Sequence, residues 1–174
     1  LKMEKVSIEG IILNLRTNSP VLVLKGENGR KLPISVGIYE AQSILLVLEK
    51  HSFLRPLTHD LFKSLFEIFS AEFLRLEIHS VKNGIYYAHM IIRRGERTET
   101  LDCRPSDGIA VALRFKADMF AEDNLMKDAD VVRYGAKGKF LRTSGPIDEK
   151  EAEVLREMID SMSPQDFWKN IKEK

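Results

Sequence analysis

The stretch "KNGIYYAHMIIRRGERTETLDCRPSDGIAVALR" (residues 82–114) carries the reading of the fold. An Asn83–Gly84 pair marks a tight turn, because both central positions of such a turn favour positive φ. A strand follows, then a turn at Gly95–Glu96, then a second strand. At Pro105 the apolar spacing changes to that of a helix over 105–117. Meander strands that run directly into a helix predict an α+β domain. The junction also crowds Asp102, Arg104, Ser106 and Asp107 around Pro105. Those groups stabilise either the first turn of the helix or a ligand.

Outward from this stretch the pattern repeats. Residues 72–81 alternate Leu74, Leu76 and Ile78 with polar neighbours, as a half-buried strand does. Upstream, 6–15 reads as a strand whose apolar phase shifts near Gly10–Ile12, the mark of a bulge. Residues 20–36 read as a hairpin with Asn28–Gly29 at its turn. Residues 39–51 form a helix that is apolar on most sides between Ile44 and Leu48, which suits burial by a sheet and by a second surface. Thr58 is a candidate N-cap for a helix over 58–70, with Leu61, Phe62, Leu65, Phe66 and Phe69 in one stripe. A short helix is expected at 122–127.

Both halves therefore show three strands followed by two helices. An offset of 67 residues sets Leu24 on Ile91, Arg30 on Arg97 and Glu40 on Asp107. The expected architecture is a pseudo-duplicated pair of three-strand, two-helix units, about 3–70 and 72–128. Combined, they are expected to form one curved or barrel-like mixed sheet packed with helices, since two three-stranded halves each leave edges to cover. Residues 133–147, rich in glycine and basic side chains, read as a linker. Residues 148–174 read as an amphipathic helix and tail, with a stripe of Ala152, Leu155, Met158, Ile159 and Met162.

Bulk composition narrows the function. The chain has 174 residues, 44% hydrophobic and 30% charged, which suits one globular domain and an appended helix. The formal net charge of +1 makes it no polycation, so nucleic-acid binding would need a local basic patch. Candidates are Arg93, Arg94 and Arg97, and Arg133, Lys137, Lys139 and Arg142. A single cysteine, Cys103, excludes an intrachain disulfide framework and a cysteine-rich zinc site. No apolar run approaches the roughly 20 residues that span a bilayer. The N-terminal stretch shows no signal-peptide core, so no membrane association and a cytoplasmic location are expected. No Walker loop, dinucleotide fingerprint or HExxH motif is present, and no organic cofactor is expected.

Two polar clusters remain. In the first, Arg104 offers a fork for phosphate or carboxylate at a helix start, where free N–H groups favour anions. Asp102 and Asp107 are of the type that holds Mg²⁺. The local sequence is explained at least as well by capping: Pro105 suits the first helical position and Asp107 the first turn. The second cluster, "RPLTHD" (55–60), repeats an Arg-Pro pair, a hydroxyl and an acid at a helix entrance. His59 and Asp60 there are a candidate base and metal ligand, or again a capped turn. His89 reads as a packed strand residue and His79 as lying on the polar phase of its strand.

"RPLTHDL", "DCRPSDGIAVALR" and the spaced "LPISVG" and "EA" (32–41) together resemble the bifunctional nuclease family, over about residues 20–132. The motif positions fall on Arg55, Pro56, Thr58, His59 and Asp60, then on Asp102, Arg104, Pro105, Ser106 and Asp107. Ser35 stands where an aromatic is usual, Gly108 where alanine is usual, and "ADMF" (117–120) replaces a more apolar segment. These departures touch packing more than the polar groups. The resemblance implies hydrolysis of DNA and RNA, an α+β fold with a barrel-like sheet, and a homodimer.

The expected function is then metal-assisted phosphodiester hydrolysis, with Mg²⁺ or Mn²⁺. The candidate catalytic residues are His59, Asp60, Asp102, Arg104 and Asp107, and the candidate metal ligands are Asp60, Asp102 and Asp107. Arg55, Thr58, Ser106 and Glu40 are the binding candidates. The alternatives are a non-catalytic dimeric module that binds a ligand or a protein, and a structural network that closes the barrel.

Overall fold

A computed structural model of the chain describes residues 2–14, 19–51, 53–128 and 140–142. The strands are β1 (Met3–Asn14), β2 (Ser19–Gly26), β3 (Lys31–Ser35), β4 (Ala71–Lys82), β5 (Ile85–Arg94), β6 (Arg97–Cys103), β7 (Asp118–Glu122) and β8 (Phe140–Arg142). The helices are α1 (Ile38–Leu48), α2 (Leu61–Ile68) and α3 (Pro105–Phe115), with a single 3₁₀ turn at Asp123–Leu125. No helix among the described residues is long and apolar enough to cross a membrane.

The strands make one mixed sheet in the order β3-β2-β1-β7-β4-β5-β6, with β8 pairing β1 alongside β7. Turn chemistry sets the register of the second meander. Asn83 and Gly84 have φ of 51° and 78°, so a two-residue turn pairs Lys82 with Ile85. The first hairpin differs from the expectation. Only Gly29 is left-handed there, and the Asn28 side chain accepts a hydrogen bond from Arg30 N in a longer loop. β1 bulges between Ile8 and Gly10, close to the expected phase shift.

The sheet does not close into a barrel. β7 lies between β1 and β4, antiparallel to the first and parallel to the second. The halves therefore join through a strand of the second half, and β3 and β6 remain as the ends of an open sheet. The second half ends in one helix and a strand, where the first ends in two helices. β7 is short, but its Met119 and Ala121 are buried in alternation, and it satisfies the backbone of two strands at once. The end at β3 is partly covered by Lys127, which exchanges two backbone hydrogen bonds of 2.8 Å with Lys31.

α1 and α3 pack side by side, α1 against β2 and α3 across β4 and β5. Their apolar faces meet Leu22, Leu24, Leu76, Ile78 and Met90 in a core where Ile44, Leu45, Ile109 and Val111 are also fully buried. α3 approaches the sheet closely at Gly108, where a Cβ would collide with Leu76 and press on Cys103 Sγ. Phe66, Phe73 and Phe115 tie α2, β4 and α3, with ring centroids 4.9–6.3 Å apart. Of the stripe expected on α2, only Phe66 is buried; Leu61, Leu65 and Phe69 are exposed. The linker expected at 133–147 contains β8, and its other residues, like the helix expected at 148–174, lie outside the described residues.

Candidate active site at the helix entrances

α1 starts after Gly37 and α3 after Arg104, and the two helices pack against each other. Glu40 is in the first turn of α1 and Asp107 in the first turn of α3. Ser43 lies three residues beyond Glu40 and Arg114 seven beyond Asp107, so each pair shares a helix face. Across from these faces runs the turn that leads into α2, with Leu57 O accepting from Asp60 N at 2.9 Å.

His59 projects from that turn between the two helices. Its Nδ1 is 2.8 Å from Ser43 Oγ, and its Nε2 is 3.4 Å from Asp107 Oδ1. A carboxylate only accepts, so Nε2 carries the hydrogen and Nδ1 accepts from the Ser43 hydroxyl. Arg104 grips the same carboxylate from the solvent side, with Nε 2.6 Å from Oδ2 and a terminal nitrogen 3.0 Å from Oδ1. That terminal nitrogen also lies 2.7 Å from Glu40 Oε1. Ser43, His59, Asp107, Arg104 and Glu40 thus form one continuous polar chain. The chain runs outward, from a Ser43 that is 9% exposed to an Arg104 side chain that is 67% exposed.

Burial opposes ionisation of Asp107, yet hydrogen bonds from His59 and Arg104, together with the Arg104 charge, hold its carboxyl below the usual range. Burial likewise opposes the charge on Asp60. The Arg114 guanidinium and Leu57 N–H, 2.8 Å from Oδ2, outweigh it and lower that carboxyl as well. Arg114 is nearly sealed from solvent. Besides Asp60, it donates to Ala110 O at 2.8 Å and to Ser43 O at 3.3 Å. It therefore fastens the His59 turn to both α1 and α3.

The sequence candidates divide accordingly. Glu40, His59, Arg104 and Asp107 meet. Asp60 stands beside them as the anchor of the turn, with no side-chain hydrogen bond to the N-terminus of α2. Thr58 lies within the turn rather than capping a helix, and Thr58 and Arg55 are exposed. Ser106 is 7% exposed and faces the core. Asp102 is elsewhere. Its neighbour Cys103 faces Gly108 of α3, so strand alternation puts Asp102 on the opposite sheet face, 3.9 Å from His89 Nε2. Among the three carboxylates considered as metal ligands, Asp102 thus lies apart from Asp60 and Asp107. Sequence reasoning missed Ser43 and Arg114. For Ser43 the available signal was a small hydroxyl immediately before the apolar run Ile44–Leu48; Arg114 reads as an ordinary basic residue in a last turn.

The model of the bifunctional nuclease domain matches residues 21–133. The chain belongs to the bifunctional nuclease domain family. Every member of the polar chain, and Arg114, lies inside the matched span of this domain. Over 166 residues the chain is 33% identical to uncharacterized proteins of Mycobacterium tuberculosis from two strains, covering 95% of this chain and 98% of each relative. It is also 30% identical over 112 residues to bifunctional nuclease 1 of Oryza sativa subsp. indica. That match covers 60% of this chain and 34% of the rice protein, so the rice nuclease carries the shared domain within a longer chain.

Proposed function

We propose that this bifunctional nuclease domain hydrolyses phosphodiester bonds of DNA or RNA. The observation that carries the reading is the placement of His59 between Ser43 and Asp107, with the exposed Arg104 on the same carboxylate. In this reading His59 is the general base: it accepts a proton from the attacking water as the water oxygen bonds phosphorus and the bond to the leaving sugar oxygen breaks. Asp107 orients the ring and stabilises the imidazolium that forms. Arg104 offers its guanidinium to the phosphate, where negative charge develops. Arg55, exposed four residues before His59 in sequence, is the further candidate phosphate contact.

A divalent Mg²⁺ or Mn²⁺ belongs to this reading. The donor chemistry fits at Glu40 and Asp107, whose oxygens already converge on one cationic nitrogen of Arg104. Those two carboxylates would hold the ion, which when bound supplies charge to polarise the phosphoryl group. Arg104, 67% exposed, would remain available to the phosphate beside those carboxylates.

The test is cleavage of single-stranded DNA, duplex DNA and RNA by purified protein, with Mg²⁺, with Mn²⁺ and with chelator. Cleavage that disappears in His59→Ala supports the reading; equal cleavage in that variant assigns the activity to something else. A second reading, a non-catalytic dimeric module that binds a ligand or protein, draws on the exposed apolar residues Leu61, Leu65 and Ile68 of α2 and Phe69 just after it. Homodimer formation and a cytoplasmic location are compatible with either reading. Tight anion binding with no turnover under any metal condition would favour the second.

A further inference from the structure

On the sheet face opposite the helices, three adjacent strands bring together two imidazoles and a carboxylate. β4 bulges between Ile78 and Ser80, and His79 is the residue left over in the register. The bulge tips His79 toward His89 of β5, and the two rings stack with centroids 4.0 Å apart at 28°. His89 is paired directly with Asp102 of β6, which brings their side chains to one face. One ligand-capable atom from each of His79, His89 and Asp102 lies within 4.8 Å of the other two.

A structural role does not account for this group. His79 Nε2 is sealed from solvent and has no hydrogen-bond partner. Buried polar nitrogens are nearly always partnered, so an orphan calls for a ligand. Stacked imidazoles also gain nothing from protonation. Burial and the neighbouring His89 lower the pKa of His79, against the opposing pull of Asp102, Glu122 and Glu77, and so favour the neutral form that binds metals. We propose that His79, His89 and Asp102 form a binding site for a first-row divalent transition metal, with Zn²⁺ the ion of choice.

The donor set supports that class. Two imidazole nitrogens and one carboxylate suit Zn²⁺ and its neighbours, whereas Mg²⁺ prefers oxygen donors throughout. Metal bonds of about 2.0–2.2 Å require the donor atoms to draw inward. The Asp102 side chain, 76% exposed, is free to make that movement. Three protein ligands leave at least one position open to water or an exogenous ligand, on the solvent side of Asp102. This site lies on the other face of the sheet from His59 and does not depend on the nuclease reading.

Titration of the full chain with Co²⁺ tests it. The expected result is the visible absorption of four- or five-coordinate Co²⁺, displaced by Zn²⁺ and not by Mg²⁺. His79→Asn and His89→Asn should each weaken binding by about tenfold or more. Asp102→Asn, at an exposed position where the fold is safe, should weaken it in the same direction. His59→Ala should bind Co²⁺ as the parent does, so the loss of cleavage and the loss of this site are separately readable. Circular dichroism checks that each variant is folded. Absence of the Co²⁺ spectrum in the parent overturns the proposal, as does unchanged affinity in Asp102→Asn together with either folded histidine variant.

Discussion

His59 Nε2 and Asp107 Oδ1 are 3.4 Å apart, joining a turn before α2 to the first turn of α3. The contact is long for a hydrogen bond to a neutral ring and shortens when the ring is charged. Asp107 is thus placed to act on His59 after proton transfer more than before it. Asp107→Asn keeps the shape and removes the charge. In the nuclease reading it should lower kcat/KM by about 10²–10⁴ while the chain stays folded. Steady-state cleavage kinetics with a far-ultraviolet spectrum as control would check this.

Arg114 positions that turn. It is 5% exposed and holds Asp60, Ser43 O and Ala110 O together. Arg114→Ala leaves the Asp60 carboxylate without its guanidinium and removes the side-chain bonds that tie the turn to Ser43 O and Ala110 O of the two helices. The expected loss is about 1.5–3 kcal/mol, less than at a fully buried pair because Asp60 still meets solvent. Urea denaturation would read it. An unchanged midpoint would mean that the turn is held by other contacts.

Stability should fall with acid in two separate windows. His79 has a folded pKa below its ordinary 6.5, so the unfolded chain binds the extra proton first. Its contribution is complete above 6.5 and is lost as pH falls from there through the lowered folded value. Asp60 and Asp107 also have lowered values, so their contribution is present above the ordinary 3.8 and is lost as pH falls through the folded values. Urea midpoints in chelator at pH 7.5 and 5.5 should differ in the parent and differ less in His79→Asn. An equal difference in both proteins would exclude His79 as the source of the upper window.

Cys103 should be inert. Burial, with the charges of Asp107 and Asp102 on either side, pushes its thiol up to about 12. Thiolate is the reactive form, so alkylation by iodoacetamide at pH 8 should be slow in the native chain and fast after denaturation. Rapid native labelling would show that α3 lifts from the sheet at Gly108.

What was legible in the sequence followed from local chemistry. Asn83–Gly84 fixed one hairpin because both residues take positive φ there, and Pro105 marked the start of α3. β7 escaped because five residues carrying only Met119 and Ala121 as buried side chains give almost no periodic signal. Its pairing depends on the open edges of β1 and β4, which are remote in sequence. Without β7, two similar halves suggest a closed barrel; with it, the sheet opens. At the site, the similarity between Glu40 and Asp107 was useful, since both reach Arg104. Asp102 was misleading because adjacency in sequence to Arg104 hides the strand alternation that turns it to the other face. Ser43 and Arg114 became visible only when α1, α3 and the 57–60 turn were brought together.

In the proposed function His59 is the base of a phosphodiester hydrolase. The most direct measurement is single-turnover cleavage of a labelled single-stranded substrate by the parent and by His59→Ala, purified identically, in Mn²⁺ across pH 5.5 to 8.5. The expected result is metal-dependent cleavage by the parent, and a loss of about 10²–10⁴ in the variant. Cleavage of equal rate and equal pH profile in parent and variant would contradict the claim.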